Sequence, residues 1–129
     1  MIQLDQIYLE KAEENLAAAQ SELINGRYNS CANRAYYSCY QAAIYALTQA
    51  GLRSTSTQRE WSHEFVQAQF NGVLLNRRRL YPASLRGTLN QNYALRLMAD
   101  YSTDRVTQVR AERAVARAER FLEAIPARR

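Results

Sequence analysis

Histidine occurs once in this 129-residue chain, at His63. That scarcity excludes much. Glu60-x-x-His63 has the ligand spacing of helical di-iron bundles, but such sites need the motif twice plus further inward carboxylates, so no metal centre is expected. A Ser-His-Asp or Cys-His apparatus would have to use His63, to which local sequence ties no nucleophile. The two cysteines, Cys31 and Cys39, fall two turns apart on one predicted helix, too far to bridge without distortion. They read as small buried thiols. The four glycines are dispersed, so no phosphate-cradling loop exists and nucleotide hydrolysis of the P-loop kind is excluded. No strand-length alternation, internal repeat or low-complexity segment stands out. No apolar run approaches the roughly 18 residues that cross a bilayer. Met1-Ile2-Gln3-Leu4-Asp5 lacks the basic start of a secretory signal. A cytoplasmic protein with no cofactor and no membrane contact is expected.

What is present is ordinary in amount and uneven in placement. With 47% hydrophobic and 22% charged residues, the chain has enough apolar material for one core, a single domain spanning 1–129. Residues 1–26 carry Asp5, Glu10, Glu13, Glu14 and Glu22 against Lys11 alone, whereas the arginines follow later. All but one of the seventeen basic residues are arginine. Arginine favours bidentate contact with phosphate or carboxylate, compatible with RNA or an acidic partner surface. Base bias in the coding sequence would give the same composition.

Apolar spacing predicts an all-α bundle of four to five helices. Leu9, Ala12, Leu16, Ala19 and Leu23 form one stripe on a helix that ends at Asn25-Gly26. A second helix, from about Asn29 to Ala50, ends at Gly51, and the short link makes the two antiparallel neighbours. This second helix carries a small-residue face at Ala32, Ala35, Cys39, Ala42 or Ala43, and Ala46. Tyr36, Tyr37, Tyr40 and Tyr45 flank that face, for core packing first, then a dimer interface, then base stacking.

Ser54 to Arg59 reads as a polar loop. Thr57-x-x-Glu60 then matches a capping box opening a third helix through Trp61, Phe65, Phe70 and Leu74. A break is expected near residues 79–82, where Pro82 suits the first turn of a new helix. The fourth helix would carry Leu85, Leu89, Leu95 and Met98 to Tyr101. Ser102-Thr103-Asp104 offers cap chemistry for a last helix running to Pro126. Its inward stripe is Ala111, Ala114, Ala118, Phe121 and Ile125. Arg110, Arg113, Arg117 and Arg120 form a second stripe which, with Arg77, Arg78 and Arg79, could track RNA phosphates or simply face solvent.

Two words carry more. Arg34-Ala35-Tyr36-Tyr37 on the second helix, followed by Arg96-Leu97-Met98-Ala99-Asp100-Tyr101, resembles the HEPN family of small helical proteins. The order of features agrees: an acidic first helix, the Asn-Gly-Arg-Tyr link, the Arg-Ala-Tyr-Tyr helix, a polar loop with histidine, Arg-x-x-Ala-Asp-Tyr, and a charged last helix ending in Phe121-Leu122-Glu123-Ala124-Ile125. The resemblance implies an up-and-down bundle that dimerises and that works with a minimal nucleotidyltransferase partner, as in toxin and antitoxin pairs, or on RNA. Ribonuclease members place a histidine after the arginine that Arg96 matches, with four to six residues between the two, in a metal-independent dimer cleft. Here Tyr101, Ser102 and Thr103 stand there. The family's Phe-His-Ala-Ala word is also absent, replaced by Tyr40-Gln41-Ala42-Ala43.

Activating a ribose hydroxyl near neutrality wants a base of pKa about 7, while tyrosine sits near about 10. The chain is therefore expected to bind rather than cleave, with Arg96, Asp100 and Tyr101 in the functional cleft. The alternatives are an active metal-independent endoribonuclease using Arg96 with His63, and a purely structural dimerisation module. Arg96 and Asp100, four apart on a helix, could also simply pair with each other.

Overall fold

A computed structural model describes residues 4–53 and 61–125. Five α-helices account for most of them: α1 (Leu4–Ile24), α2 (Tyr28–Gln49), α3 (His63–Gln69), α4 (Thr88–Tyr101) and α5 (Gln108–Ala124). No strand occurs among the described residues, and no described helix is long and apolar enough to cross a membrane.

The first two helices end as their glycines require. At Gly26 (φ 75) the Arg27 N–H reaches back to Glu22 O at 2.9 Å, and at Gly51 (φ 85) the Leu52 N–H reaches Leu47 O at 2.9 Å. Both are six-to-one closures that need the left-handed backbone glycine tolerates. The first turn reverses the chain, so α1 lies antiparallel along α2, where Asn15 Nδ2 donates to Gln41 Oε1 at 2.8 Å.

α2 is the central helix and packs against α1, α4 and α5. Ala32, Ala35, Cys39, Ala42, Ala43 and Ala46 are all buried, and their small volume lets three neighbours close on one helix. From α5, Ala111, Ala114, Ala118, Phe121 and Ile125 fill the other side, with the Phe121 and Phe70 rings 4.9 Å apart. α5 runs parallel to α2: Cys31 lies by Ala111 at the start of both, and Tyr45 lies with Ile125 at their ends. α4 runs the opposite way, with Asn92 at Cys39 and Asp100 at Asn33. The outer ends of α1 and α5 therefore share the end of the bundle where α2 finishes.

The second half departs from expectation in detail. Thr57, Glu60 and the polar loop lie outside the described residues. α3 opens at His63, capped by Ser62, whose Oγ accepts from the Phe65 N–H at 3.1 Å, and Trp61 precedes the helix. From Phe70 to Arg77 the helix widens to π geometry, with the Arg78 N–H on Val73 O at 2.8 Å. The chain leaves it through Arg79, at φ 52, a left-handed position that side chains rarely occupy.

The break near 79–82 is there. Beyond it the fourth helix is split: Pro82 introduces a single 3-10 turn, Ala83–Leu85, and α4 proper starts at Thr88. Leu85 is thus buried from the turn. The cap of α5 is Thr107, which accepts from the Arg110 N–H at 3.2 Å, rather than Ser102-Thr103-Asp104. Ser102 instead accepts from the Asp104 N–H at 3.0 Å. The loop is held by Asn29, whose Oδ1 takes the Val106 N–H at 2.9 Å, so only Thr107 stands where the helix begins.

Candidate functional site

Turns spaced three and four residues apart on α2 and α4 bring aromatic and charged side chains to one face. Tyr36 is the centre. It is buried, and its ring meets Tyr37 at 5.1 Å, Tyr93 at 5.4 Å, and Tyr40 and His63 at 5.7 Å. The Tyr36 hydroxyl lies 3.1 Å from His63 Nδ1, while His63 Nε2 lies 3.3 Å from Asn90 Oδ1. The His63 ring stacks on Tyr93 at 3.7 Å and 12°. One tautomer satisfies both bonds: with its proton on Nε2, the imidazole donates to Asn90 and accepts from the phenol. Burial, then neighbouring Tyr40, Tyr37 and Tyr93, push the Tyr36 phenol well above its ordinary range, with Arg96 opposing. Tyr36 is accordingly a donor, not a phenolate nucleophile.

Arg96 caps the same cluster. Its guanidinium carbon lies 5.4 Å from the Tyr37 ring centre, 5.8 Å from that of Tyr101 and 6.0 Å from that of Tyr36. The Arg96 Nε is 2.9 Å from Asp100 Oδ2, an ion pair whose N–H direction misses a true hydrogen bond. Burial alone would lower the arginine's pKa, but Tyr37, Asp100, Tyr101 and Tyr36 outweigh it and the net shift is upward. Asn33 Nδ2 donates to both Asp100 oxygens at 3.0 and 3.2 Å. Asn33 Oδ1 accepts from Arg34 at 2.8 Å, and Arg34 also donates to Asn15 at 3.1 Å. Tyr101 remains 74% exposed at the rim.

Arg96, Asp100 and Tyr101 thus come together, and Tyr36 stands between them and His63. His63 itself makes no pair with Arg96, both ring nitrogens being engaged elsewhere. Of the α2 tyrosines proposed for core or dimer, Tyr36 is core, and Tyr37 and Tyr40 are half-buried. Tyr93, Asn90 and Asn33 were not anticipated. A helical wheel through Arg96 would have found Tyr93 three residues before it; nothing local marks the two asparagines.

This helical frame agrees with a comparison to known families: the family model described as HEPN domain matches residues 6–128. The chain belongs to the HEPN family. No curated protein matches it.

Elsewhere on this HEPN bundle the arginines separate into two places. Arg110, Arg113 and Arg117 line a groove of about 350 Å³ between α4 and α5, floored by Ala94, Leu95 and Met98. Arg117 Nε donates to Asn92 Oδ1 at 2.7 Å, and the fully buried Asn92 is itself fixed on Ala114 O at 3.3 Å and Cys39 Sγ at 3.6 Å. Arg120 is exposed further along α5. Arg77, Arg78 and Arg79 are exposed near the opposite end, where Arg78 donates to Ala50 O at 3.0 Å. Arg110, by contrast, sits beside Met98, its Nη1 3.7 Å from the sulfur. The two clusters do not form one continuous track.

Proposed function

We propose that this HEPN domain is a binding module, acting as a symmetric homodimer, whose α2–α4 cleft presents Arg96 to an RNA phosphate without efficient cleavage. A minimal nucleotidyltransferase is the protein partner that family membership suggests. The observation that carries the reading is the engagement of His63: both nitrogens are bonded inside the cluster, while exposed Tyr101 occupies the position beside Arg96 where a family ribonuclease has its base. Without that base, a rate loss of about a hundred to ten thousandfold is expected. Arg96, held by Asp100 and the tyrosines, keeps its terminal nitrogens free of hydrogen bonds to described residues and suited to a phosphate oxygen.

The test compares the wild type with Arg96→Ala and His63→Ala, each checked for folding, in RNA binding and in metal-free cleavage. Binding weakened by Arg96→Ala, with no cleavage in any sample, is the expected result. One geometric fact favours a second reading, an endoribonuclease: Tyr36 touches both Arg96 and His63. Robust wild-type cleavage abolished in both variants would establish that alternative. Sedimentation as a monomer of about 15 kDa would remove the dimer.

A further inference from the structure

We propose that the groove between α4 and α5 is a docking site for an acidic amphipathic helix of a partner protein. The inference does not rest on the reading of the Arg96 cleft, since it uses different residues on a different surface.

Charge is the first argument. Arg110, Arg113 and Arg117 rim the groove, and among the described residues no carboxylate lines it. The nearby Glu112 is already bonded to Gln108 Nε2 at 3.1 Å. Arg117 is half-buried, and its Nη atoms make no hydrogen bond to any described residue. Burial lowers its pKa, and although Cys39 opposes this, Arg120 and Arg113 lower it further. A guanidinium in that position gains more from an external anion than a solvated one does, because the described residues around it supply no counter-charge.

Construction is the second. Asn92 is fully buried and holds Arg117 Nε from below, so the guanidinium is oriented before any ligand arrives.

The floor decides between anionic partners. Nucleic-acid readers stack bases on aromatic faces, and no aromatic residue among the described ones lines this groove. Ala94, Leu95 and Met98 instead offer an aliphatic bed with an adaptable thioether, the surface on which helices dock by their apolar stripe. Arg110 and Arg117 stand seven residues apart on α5, two turns or about 10.5 Å. Carboxylates spaced i, i+3 and i+7 beside a leucine stripe would meet all three arginines.

The probe is a synthetic three-turn peptide helix carrying that leucine stripe flanked by glutamates, titrated against the full chain at low salt. The expected result is saturable binding that weakens as salt rises. It should fall about tenfold or more with Arg113→Glu, with Met98→Gln, and with a peptide whose glutamates are replaced by glutamine. Arg53→Glu, the same charge change outside the groove, should leave it intact. No binding of the acidic peptide, or binding indifferent to Arg113→Glu, would overturn the proposal. So would a single-stranded RNA that outcompetes the peptide and is itself lost in Arg113→Glu, which would assign the groove to nucleic acid. The chain also has an opposite groove between α1 and α5, lined by Glu13, Glu119 and Glu123. Self-association abolished by Arg113→Glu would therefore give the occupant as a second copy and reject a foreign helix.

Discussion

Two arginines on adjacent helices keep opposite company. Arg96 on α4 has a carboxylate at 2.9 Å and three tyrosine rings around it, so its positive charge is held more firmly than in water despite burial. Arg117 on α5 has a neutral amide at 2.7 Å and two further arginines nearby; burial first, and then Arg120 and Arg113, weaken its hold on the proton. The first charge is largely answered by the fold. The second is not, and it is this oriented guanidinium that the proposed acidic helix would meet. The amide that orients it is also deeper in the protein than anything supporting Arg96, so the two regions differ in how much stability hangs on them.

The largest expected effect follows from that depth. Asn92→Ala should destabilise by about 2–4 kcal/mol, since it opens a cavity in the core and strips Arg117 and the Ala114 carbonyl of a partner. The matching change beside Arg96, Asn33→Ala, touches a half-exposed ion pair and should cost only about 0.5–1 kcal/mol. Equal losses in urea denaturation would break the comparison.

Alkaline unfolding separates the regions next. Cys31 and Cys39 are pushed by burial from an ordinary 9.0 to about 11 and about 12, with Glu22 adding to the first, while Ser38, Asn92 and Arg117 partly oppose the second. The folded chain keeps these protons after the unfolded chain has released them. Stability is therefore complete below pH 9 and is lost as pH rises from there toward 11–12. The slope should be about 1.4 kcal/mol per pH unit for each group. Cys39→Ala, on the Arg117 side, should flatten the curve from its start. Tyr36→Phe, on the Arg96 side, should act only above the ordinary phenol range, near about pH 10. Thermal melts across that range would show which onset moves.

The smallest effect concerns the unanswered charge alone. Arg113→Ala should raise stability by a few tenths of a kcal/mol at low salt and by nothing at high salt, because it relieves repulsion of Arg117. A loss of stability instead would mean that the arginines support the fold.

How much of this was visible in the sequence depended on how local the cause was. The stripes of α1 and α5 and the glycine stops of α1 and α2 need only neighbouring residues, and they stand where periodicity placed them. The start of α5 was read too early, at Ser102-Thr103-Asp104, because those residues have the same capping chemistry as Thr107, where the helix begins; Asn29, 77 positions from Val106, makes the choice. The π segment at Phe70–Arg77 has no sequence signature at all. In the site, the Arg96–Asp100 pair was legible from its spacing. The Tyr36–His63 bond, which spans 27 positions, and the Asn92–Cys39 contact, which spans 53, exist only once the helices pack.

The course of the helices has a practical corollary. Because α1 runs against α2 and α5 runs with it, Leu4 and Ile125 both finish at the end of the bundle marked by Gln49. Asp100 and Tyr101 lie at the far end, beside Asn33. A tether, a fluorescent reporter or a further stretch of polypeptide joined at either side would leave the bundle about 20–30 Å from Tyr101. The arginine-and-tyrosine face and the outer ends of α1 and α5 thus occupy opposite ends of the bundle.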